Sequence, residues 1–169
     1  MVRNKNKYDY GKLNSRPDYS VVVAAHRPSD HGRGARFPAQ AVEGGNRSKT
    51  AILLIDFQNE FTAPGGKLHD DVKVVMESTG MLSKILSFVA KARHGGALVI
   101  HSPVIMKDKE KFDEPEFDAN EYSKMDGLFI ENTWNSEFAD ECKPEADDVT
   151  LLNRKNFSAF EGTELKNIL

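Results

Sequence analysis

Cysteine is almost absent from this sequence, and long apolar runs are missing. The 169 residues include one cysteine, Cys142, which excludes an internal disulfide and a zinc site built from several cysteines. No apolar run approaches the roughly 20 residues of a membrane-spanning helix, and the N-terminus lacks the apolar core of a secretory signal. A single thiol is compatible with a reducing compartment, so we expect a cytoplasmic protein without a membrane partner.

Glycine motifs that hold phosphate groups are missing as well. The sequence contains neither G-x-x-x-x-G-K-[ST] nor G-x-G-x-x-G, in which backbone N–H groups surround nucleotide phosphates. The sequence therefore gives little support to nucleotide binding, and we predict that the protein has no cofactor.

Charge is distributed unevenly along the chain. Residues 1–48 carry nine Lys/Arg and four Asp/Glu, whereas residues 49–169 carry 14 and 22. A basic stretch with Gly and Pro can be a nucleic-acid arm, but it is more often a solvated tail. We favour the tail and expect no nucleic-acid partner. The chain then divides into a flexible extension, 1–48, and one domain, 49–169; the apolar residues 21–25 are either a short strand or a surface clip.

The domain is organised around residues 49–61, which read K-T-A-I-L-L-I-D-F-Q-N-E-F. Residues 51–55 form an unbroken apolar run, which is typical of a strand buried on both faces of a parallel sheet. Ligands bind at the carboxyl ends of such strands, and Asp56 follows this strand directly. Asp56 therefore either takes part in chemistry or caps a turn, and the pattern alone does not separate the two.

A helix and a second strand follow this first strand. Apolar residues recur at helical spacing within residues 78–94 and define one helix face: Leu82, Ile85, Leu86 and Val89. Residues 97–102 form another short apolar run and predict a second buried strand. Strand, helix and strand then make a right-handed parallel unit.

The remaining elements are shorter. Residues 103–122 are long, charged and rich in Phe and Pro, and we interpret them as an irregular loop or lid. Residues 134–141 predict a short helix, and residues 149–152 a third strand. Thr163 has the position of an N-cap at the start of one more helix.

Asp56 and Lys155 occupy equivalent places, each just beyond a buried strand. In a parallel sheet both side chains reach the same edge, so we predict that they form an ion pair within roughly 4 Å on neighbouring strands. Such a pair perturbs both pKa values and can activate a thiol or a water. A purely structural ion pair is the alternative.

Three blocks of sequence resemble one family. I-L-L-I-D-F-Q-N-E-F is similar to the first-strand motif of the isochorismatase-like hydrolases, also called the cysteine hydrolase superfamily. G-L-F-I-E-N-T-W-N-S-E-F and P-E-A-D-D-V-T-L-L-N-R-K-N-F-S-A-F-E-G-T-E-L resemble its middle section. The order and spacing of the blocks agree over residues 49–169, and residues 1–48 lie outside the resemblance.

The resemblance implies a fold and a site. The fold would be a doubly wound, Rossmann-like, three-layer α/β/α domain with a mostly parallel sheet. The catalytic residues would include Asp56 as acid or base and Lys155 as the stabiliser of a developing charge. Contacts to a small-molecule substrate would come from four further residues: Phe57, Gln58, Trp134 and Phe157. Among the aromatic residues, we expect Trp134 to line the pocket and Phe160 to lie in the core.

Two chemical branches follow from the resemblance. In one, a cysteine thiolate attacks an amide or imide carbon, backbone N–H groups hold the oxyanion, and water releases the acid. In the other, an acid protonates the vinyl ether of isochorismate, and the cysteine can be dispensable. The blocks present do not separate these branches. The alternative from another class is a non-catalytic relative that serves as a binding or interaction module.

The cysteine of this family lies on a later strand-to-helix turn, which this sequence does not include. We therefore expect a truncated domain with an incomplete sheet, whose exposed edge along residues 52–55 promotes self-association or homo-oligomer formation. Cys142 is a poor substitute, because its acidic neighbours raise a thiol pKa.

No metal site is predicted. The nicotinamidase branch of the family holds a divalent metal with a D-x-H arrangement after the second strand. Here that region reads H-S-P-V-I-M-K-D-K-E-K-F, and Asp108 has no histidine two residues later. His101 stands alone on the predicted strand, so we interpret it as a structural histidine.

Overall fold

Four parallel strands form one sheet in the order in which they occur along the chain. The computed structural model describes the backbone of residues 20–25 and, beyond it, residues 50–107, 110–112 and 118–169. The strands are β1 (Ser20–Ala25), β2 (Thr50–Ile55), β3 (Leu98–Ser102) and β4 (Val149–Thr150). Each pairs in parallel with the next, as expected for strands linked by crossover connections.

Five α-helices and two short 3₁₀ helices accompany the sheet in the described residues. The α-helices are α1 (Asn59–Thr62), α2 (His69–Thr79), α3 (Met81–His94), α4 (Ala119–Met125) and α5 (Leu165–Ile168). The 3₁₀ helices are Trp134–Ser136 and Asp140–Cys142, where the sequence predicted one short helix.

The predicted helix over residues 78–94 is in fact the end of α2 and the whole of α3. Gly80 separates them with φ of 60°, a left-handed conformation that glycine adopts without steric cost. Helix α2 was not predicted, because its buried stripe is narrow. Only Val72 and Met76 are buried in this helix, while Val74 and Val75 face solvent.

Strand β2 is buried on both faces, which confirms its assignment to the centre of a parallel sheet. Ile52 and Leu54 lie in a cluster with Val89 of α3, and Leu53 lies in a cluster with Leu165 of α5. Side chains alternate between the two faces of a strand, so α3 covers one face and α5 the other. This arrangement confirms the doubly wound, three-layer α/β/α fold class.

Strand β1 corrects one expectation about the sheet edge. It pairs with β2 along its whole length, from Ser20 opposite Thr50 to Ala25 opposite Ile55. The structure therefore gives residues 21–25 as a strand, one of the two alternatives, and the edge of β2 is not exposed. The flexibility predicted for the rest of residues 1–48 concerns residues outside the described part of the chain.

The connection after β3 is more ordered than a loop in the residues that are described. Met106 bridges Ile130, and α4 begins at a capping box in which Asp118 and Glu121 satisfy each other's backbone N–H groups. Residues 108–109 and 113–117 of the predicted lid lie outside the described residues. Strand β4 is two residues shorter than predicted, and Leu152 beyond it is 69% exposed.

Candidate active site at the carboxyl edge of the sheet

Asp56 lies immediately after β2 with a strained backbone. Its φ is 66°, a left-handed conformation that Asp tolerates better than most residues but that is still uncommon. Its N–H donates to the Ser102 carbonyl at the end of β3, at 3.4 Å, and the residue is 9% exposed. Strained residues of this kind cluster at active sites, so this geometry favours the functional interpretation of Asp56.

Arg154 is the partner of Asp56, and the predicted ion pair with Lys155 is wrong. Nη1 of Arg154 lies 2.5 Å from Oδ1 of Asp56, and Nη2 lies 3.5 Å from Oδ2. The same guanidinium donates to the carbonyls of Ser102, at 2.9 Å, and Phe157, at 3.3 Å. Four of its five N–H donors are therefore used, and the side chain is 1% exposed.

The order of the strands explains why Arg154, and not Lys155, is the partner of Asp56. Strand β3 lies between β2 and β4, so the residues after β4 must reach across β3 to meet Asp56. Arg154 has the length and the forked donor geometry for this contact, and Lys155, its neighbour in the chain, forms its own ion pair elsewhere. The only signal for this contact in the sequence was that two cations, Arg154 and Lys155, are adjacent in R-K-N-F. Adjacent side chains point in different directions, and the sequence does not show which of the two points inward.

Burial and charge act in opposite directions on Asp56. Burial raises the pKa of the carboxyl, and the Arg154 guanidinium opposes the rise without cancelling it. A carboxyl with a raised pKa is better matched to proton transfer near neutral pH than an exposed aspartate. The site can therefore hold a buried acid or base at the end of the central strand.

Lys155 lies at the rim of the same edge. Its ammonium forms an ion pair with Glu110, and the two side chains are 34% and 28% exposed. The bond to Lys155, and a second one from the Lys107 N–H, lower the pKa of Glu110. Phe112 packs against Phe157 with ring centroids 5.1 Å apart, edge to face.

The four predicted substrate contacts divide into two pairs. Trp134 and Phe157 are 47% and 46% exposed, so both present surface that a ligand can cover, and their contact with a substrate stays a prediction. Phe57 is instead 3% exposed in the core cluster beside α3, so it offers a ligand little surface. Phe160 is 38% exposed, so its assignment to the core is wrong.

Gln58 holds two backbone segments together and does not face a ligand. It is fully buried, its amide nitrogen donates to the Val104 and Ser136 carbonyls, and its amide oxygen accepts from the Val104 N–H. These bonds use both of its donors. The predicted substrate contact of Gln58 is therefore contradicted by its placement, and we assign it a positioning role.

Residues at the ends of β3 and β4 carry buried polar atoms without a partner among the described residues. Ser102 Oγ, Arg154 Nε and Asn156 Oδ1 are buried and have no hydrogen-bond partner within the described part of the chain. Buried polar groups are nearly always paired, and Arg154 itself bonds to Ser102 and to the residue after Asn156. This corner of the site thus offers hydrogen-bonding capacity for a polar group.

The raised pKa of the Cys142 thiol was predicted, but its burial was not. The residue is 5% exposed and packs among Leu54, Phe57 and Val89. Burial, with a smaller contribution from Glu141, raises the pKa of its thiol to about 11. A thiol of this kind is a poor nucleophile at neutral pH.

His101 is buried as predicted, but only one of its two ring nitrogens is paired, because Nδ1 has no partner within the described residues. Its Nε2 lies 2.9 Å from Oδ2 of Asp148, which is also bound by the Arg93 guanidinium. Burial lowers the pKa of His101, so the ring is neutral at neutral pH. Burial acts to raise the pKa of Asp148, but its bonds to Arg93, the Glu145 N–H and His101 outweigh this and lower it.

The described residues also bear on metal binding and on membrane insertion. Among them, no three His, Cys, Asp or Glu side chains are placed to hold a metal ion. Asp108, considered above for a metal motif, lies outside them. No helix in the described ranges is long and apolar enough to cross a membrane.

These features define a doubly wound α/β domain with a buried acid at the carboxyl edge of its parallel sheet. The chain belongs to the isochorismatase family. The family model described as "Isochorismatase domain" matches residues 50–169, which confirms the resemblance noted in the sequence.

Solved structures of cysteine hydrolases share this fold. An isochorismatase family protein from Desulfovibrio vulgaris subsp. vulgaris str. Hildenborough is 27% identical, with a TM-score of 0.54 over 70% of this chain and 59% of its own. A cysteine hydrolase from Pseudomonas syringae pv. phaseolicola 1448A is 22% identical, with a TM-score of 0.61 over 73% of this chain and 55% of its own. N-carbamoylsarcosine amidase from Thermoplasma acidophilum is 24% identical, with a TM-score of 0.53 over 70% and 59%. The chain thus spans 55–59% of the length of these proteins.

Proposed function

We propose that this chain contributes the acid/base half of an isochorismatase-like hydrolase site that acts on a small molecule. The observation that carries the proposal is Asp56, a buried carboxyl with a raised pKa and a left-handed backbone at the end of the central strand. Family membership and this placement support the same role for Asp56, which is to transfer a proton to or from the reacting group.

Three neighbours have distinct parts in this proposal. Arg154 is a positioning residue that fixes the carboxyl of Asp56 through two N–H groups. In the amide branch, Lys155 holds the negative charge that develops on the substrate, which a preorganised cation stabilises more in the transition state than in the ground state. Trp134 and Phe157 provide the exposed apolar surface for the substrate.

The chemistry of Cys142 bears on the choice between the two branches. Cysteine-dependent cleavage of an amide or imide needs an accessible thiolate, and Cys142, the only cysteine of the 169 residues, has a buried thiol with a raised pKa. Acid-catalysed cleavage of a vinyl ether needs a proton donor and no thiol, and Asp56 can supply that proton. Cys142 is therefore a poor candidate for the thiol of the amide branch, and Asp56 can transfer a proton in either branch.

Asp56→Asn tests the proposal. Asparagine keeps the shape and tolerates the left-handed backbone, but it cannot transfer a proton, so turnover of isochorismate should fall about 10²–10⁴-fold. Turnover of small amides and imides should be measured in parallel, because activity there would indicate the other branch. Asp71→Asn, an exposed change of the same type on α2, should leave activity unchanged. Full activity of Asp56→Asn would refute the assignment.

The alternative is a non-catalytic binding or interaction module. It is favoured by one specific observation, that Asp56 and Lys155 are each neutralised by a partner within the chain. A binding module would retain a small-molecule ligand in a calorimetric titration while showing no turnover in either the native protein or Asp56→Asn. Self-association, a cytoplasmic location and the absence of a nucleic-acid partner remain proposals. Light scattering tests the first of them.

A further inference from the structure

Two neighbouring contacts join residues 110–112 to residues 155–157. Glu110 forms an ion pair with Lys155, and two residues further along both segments Phe112 packs on Phe157. Both contacts are separated by two residues in each segment, so residues 110–112 lie along residues 155–157 with one charged and one aromatic contact. It covers one proposed catalytic residue and one proposed substrate contact.

Glu110 occupies the position on Lys155 that an anionic group of a ligand would take. Its carboxylate makes the charge-assisted bond that a ligand carboxylate makes to an ammonium group. Both partners are about one third exposed, so each can be rehydrated when the pair separates. Ion pairs with this exposure contribute little to stability, and the contact is therefore one that a ligand can replace.

Space for a ligand exists beside the same segment. Glu110 and Phe112 line a surface pocket of about 260 Å³, whose other lining residues are Lys111, Ser123, Met125 and Asp126. Lys155 and Phe157 do not line this pocket, so a ligand reaches them only where Glu110 and Phe112 now contact them. A planar ring with a carboxylate matches these two contacts, because the ring can contact Phe157 while the carboxylate contacts Lys155.

We propose that Glu110 is a specificity-determining residue that acts as an internal competitor for Lys155. Ligands with a carboxylate must displace Glu110 before they bind Lys155, whereas uncharged ligands of the same shape leave the ion pair in place. Glu110 therefore lowers the affinity of Lys155 for a ligand carboxylate without affecting uncharged ligands. This inference rests on the proposed role of Lys155 as the cation that holds substrate charge.

The test compares benzoate with its neutral analogue benzamide by calorimetric or NMR titration of the full chain. In Glu110→Gln the affinity for benzoate should rise roughly three- to tenfold, because the competing charge is lost from a partly exposed pair. The affinity for benzamide should not change. Glu131→Gln, an exposed residue with the same charge change, controls for net charge and should leave both affinities as they are.

Lys155→Met adds the reciprocal arm. It should remove the gain that Glu110→Gln gives to benzoate when the two changes are combined. Equal benzoate affinity in the native protein and Glu110→Gln, or an equal gain for benzamide, overturns the inference. These are binding measurements, so a chain that shows the expected pattern but no turnover refutes the proposed function and leaves the role of Glu110 intact.

Discussion

Arg154→Leu tests the buried ion pair at this site most directly. The change leaves the Asp56 carboxylate buried without its cation and also removes donors to the Ser102 and Phe157 carbonyls. Removal of one partner of a buried ion pair costs about 3–5 kcal/mol, because an uncompensated charge stays in the interior. For a domain of this size that corresponds to a melting temperature lower by roughly 10–20 °C.

The loss should depend on pH with a definite sign. The folded-state pKa of Asp56 is raised, so the folded protein keeps this proton in a range where the unfolded chain has released it. Stability from this group is then greatest at low pH and falls as pH rises from the unfolded-state pKa through the folded-state pKa. Without Arg154 that pKa rises further. Arg154→Leu should therefore be most damaging above neutral pH and partly relieved on acidification.

Urea unfolding of four proteins measures the coupling: native, Arg154→Leu, Asp56→Asn and the double variant. If the buried charge causes the loss, Asp56→Asn should restore about half or more of the stability that Arg154→Leu removes, because no carboxylate then remains. A loss in Arg154→Leu that is the same at pH 5 and pH 8, and that Asp56→Asn does not relieve, would refute the reasoning. The cause would then be the volume of the arginine side chain.

Two further predictions concern the frame of the site and the thiol. A Cβ at Gly66 would lie 2.2 Å from the Asn59 carbonyl oxygen. Because a backbone atom cannot move aside at low cost, Gly66→Ala should lower the free energy of unfolding by about 2–4 kcal/mol. At Gly96 a Cβ would meet nothing within 4 Å, so Gly96→Ala should lower the free energy of unfolding, measured with urea, by only about 1 kcal/mol. Equal losses in the two variants would contradict the steric explanation. The Cys142 thiol should react with iodoacetamide at pH 7 far more slowly in the folded than in the unfolded protein. Cys142→Ala should not alter any hydrolytic activity. Rapid alkylation of the folded protein at mildly acidic pH would show instead that the thiol is activated.

Strand β2 was predictable because its signal is local. The unbroken apolar run of residues 51–55 suits no other position than a strand covered on both faces, and the acid after it had to reach the carboxyl edge. Helix α3 was predictable for the same reason, since Leu82, Ile85, Leu86 and Val89 all lie on one face. Helix α2 was not, because exposed Val74 and Val75 hide the period of its two buried residues.

The partner of Asp56 could not be predicted from local pattern. It depends on strand order, which places β3 between Asp56 and the residues after β4, and on which of two adjacent cations points inward. The same limit applies to Phe57 and Gln58. Both follow the catalytic candidate in the motif, but the chain turns into α1 at this point, and the direction of each side chain after the turn is a property of the tertiary structure.

The polar residues of the first-strand motif after Asp56 therefore hold the backbone around the site in place and do not contact a ligand themselves. Gln58 binds the backbone of Val104 and Ser136, and the fully buried Glu60 accepts from the Lys67 N–H at 2.7 Å and the Asn135 amide at 2.9 Å. These bonds tie the turn after β2 to three separate segments, which contain Lys67, Val104 and the adjacent pair Asn135 and Ser136. A left-handed aspartate persists only where its surroundings fix it, and this network supplies that constraint. The polar residues after Asp56 thus act on the proposed chemistry by holding one carboxyl in a conformation it would otherwise leave.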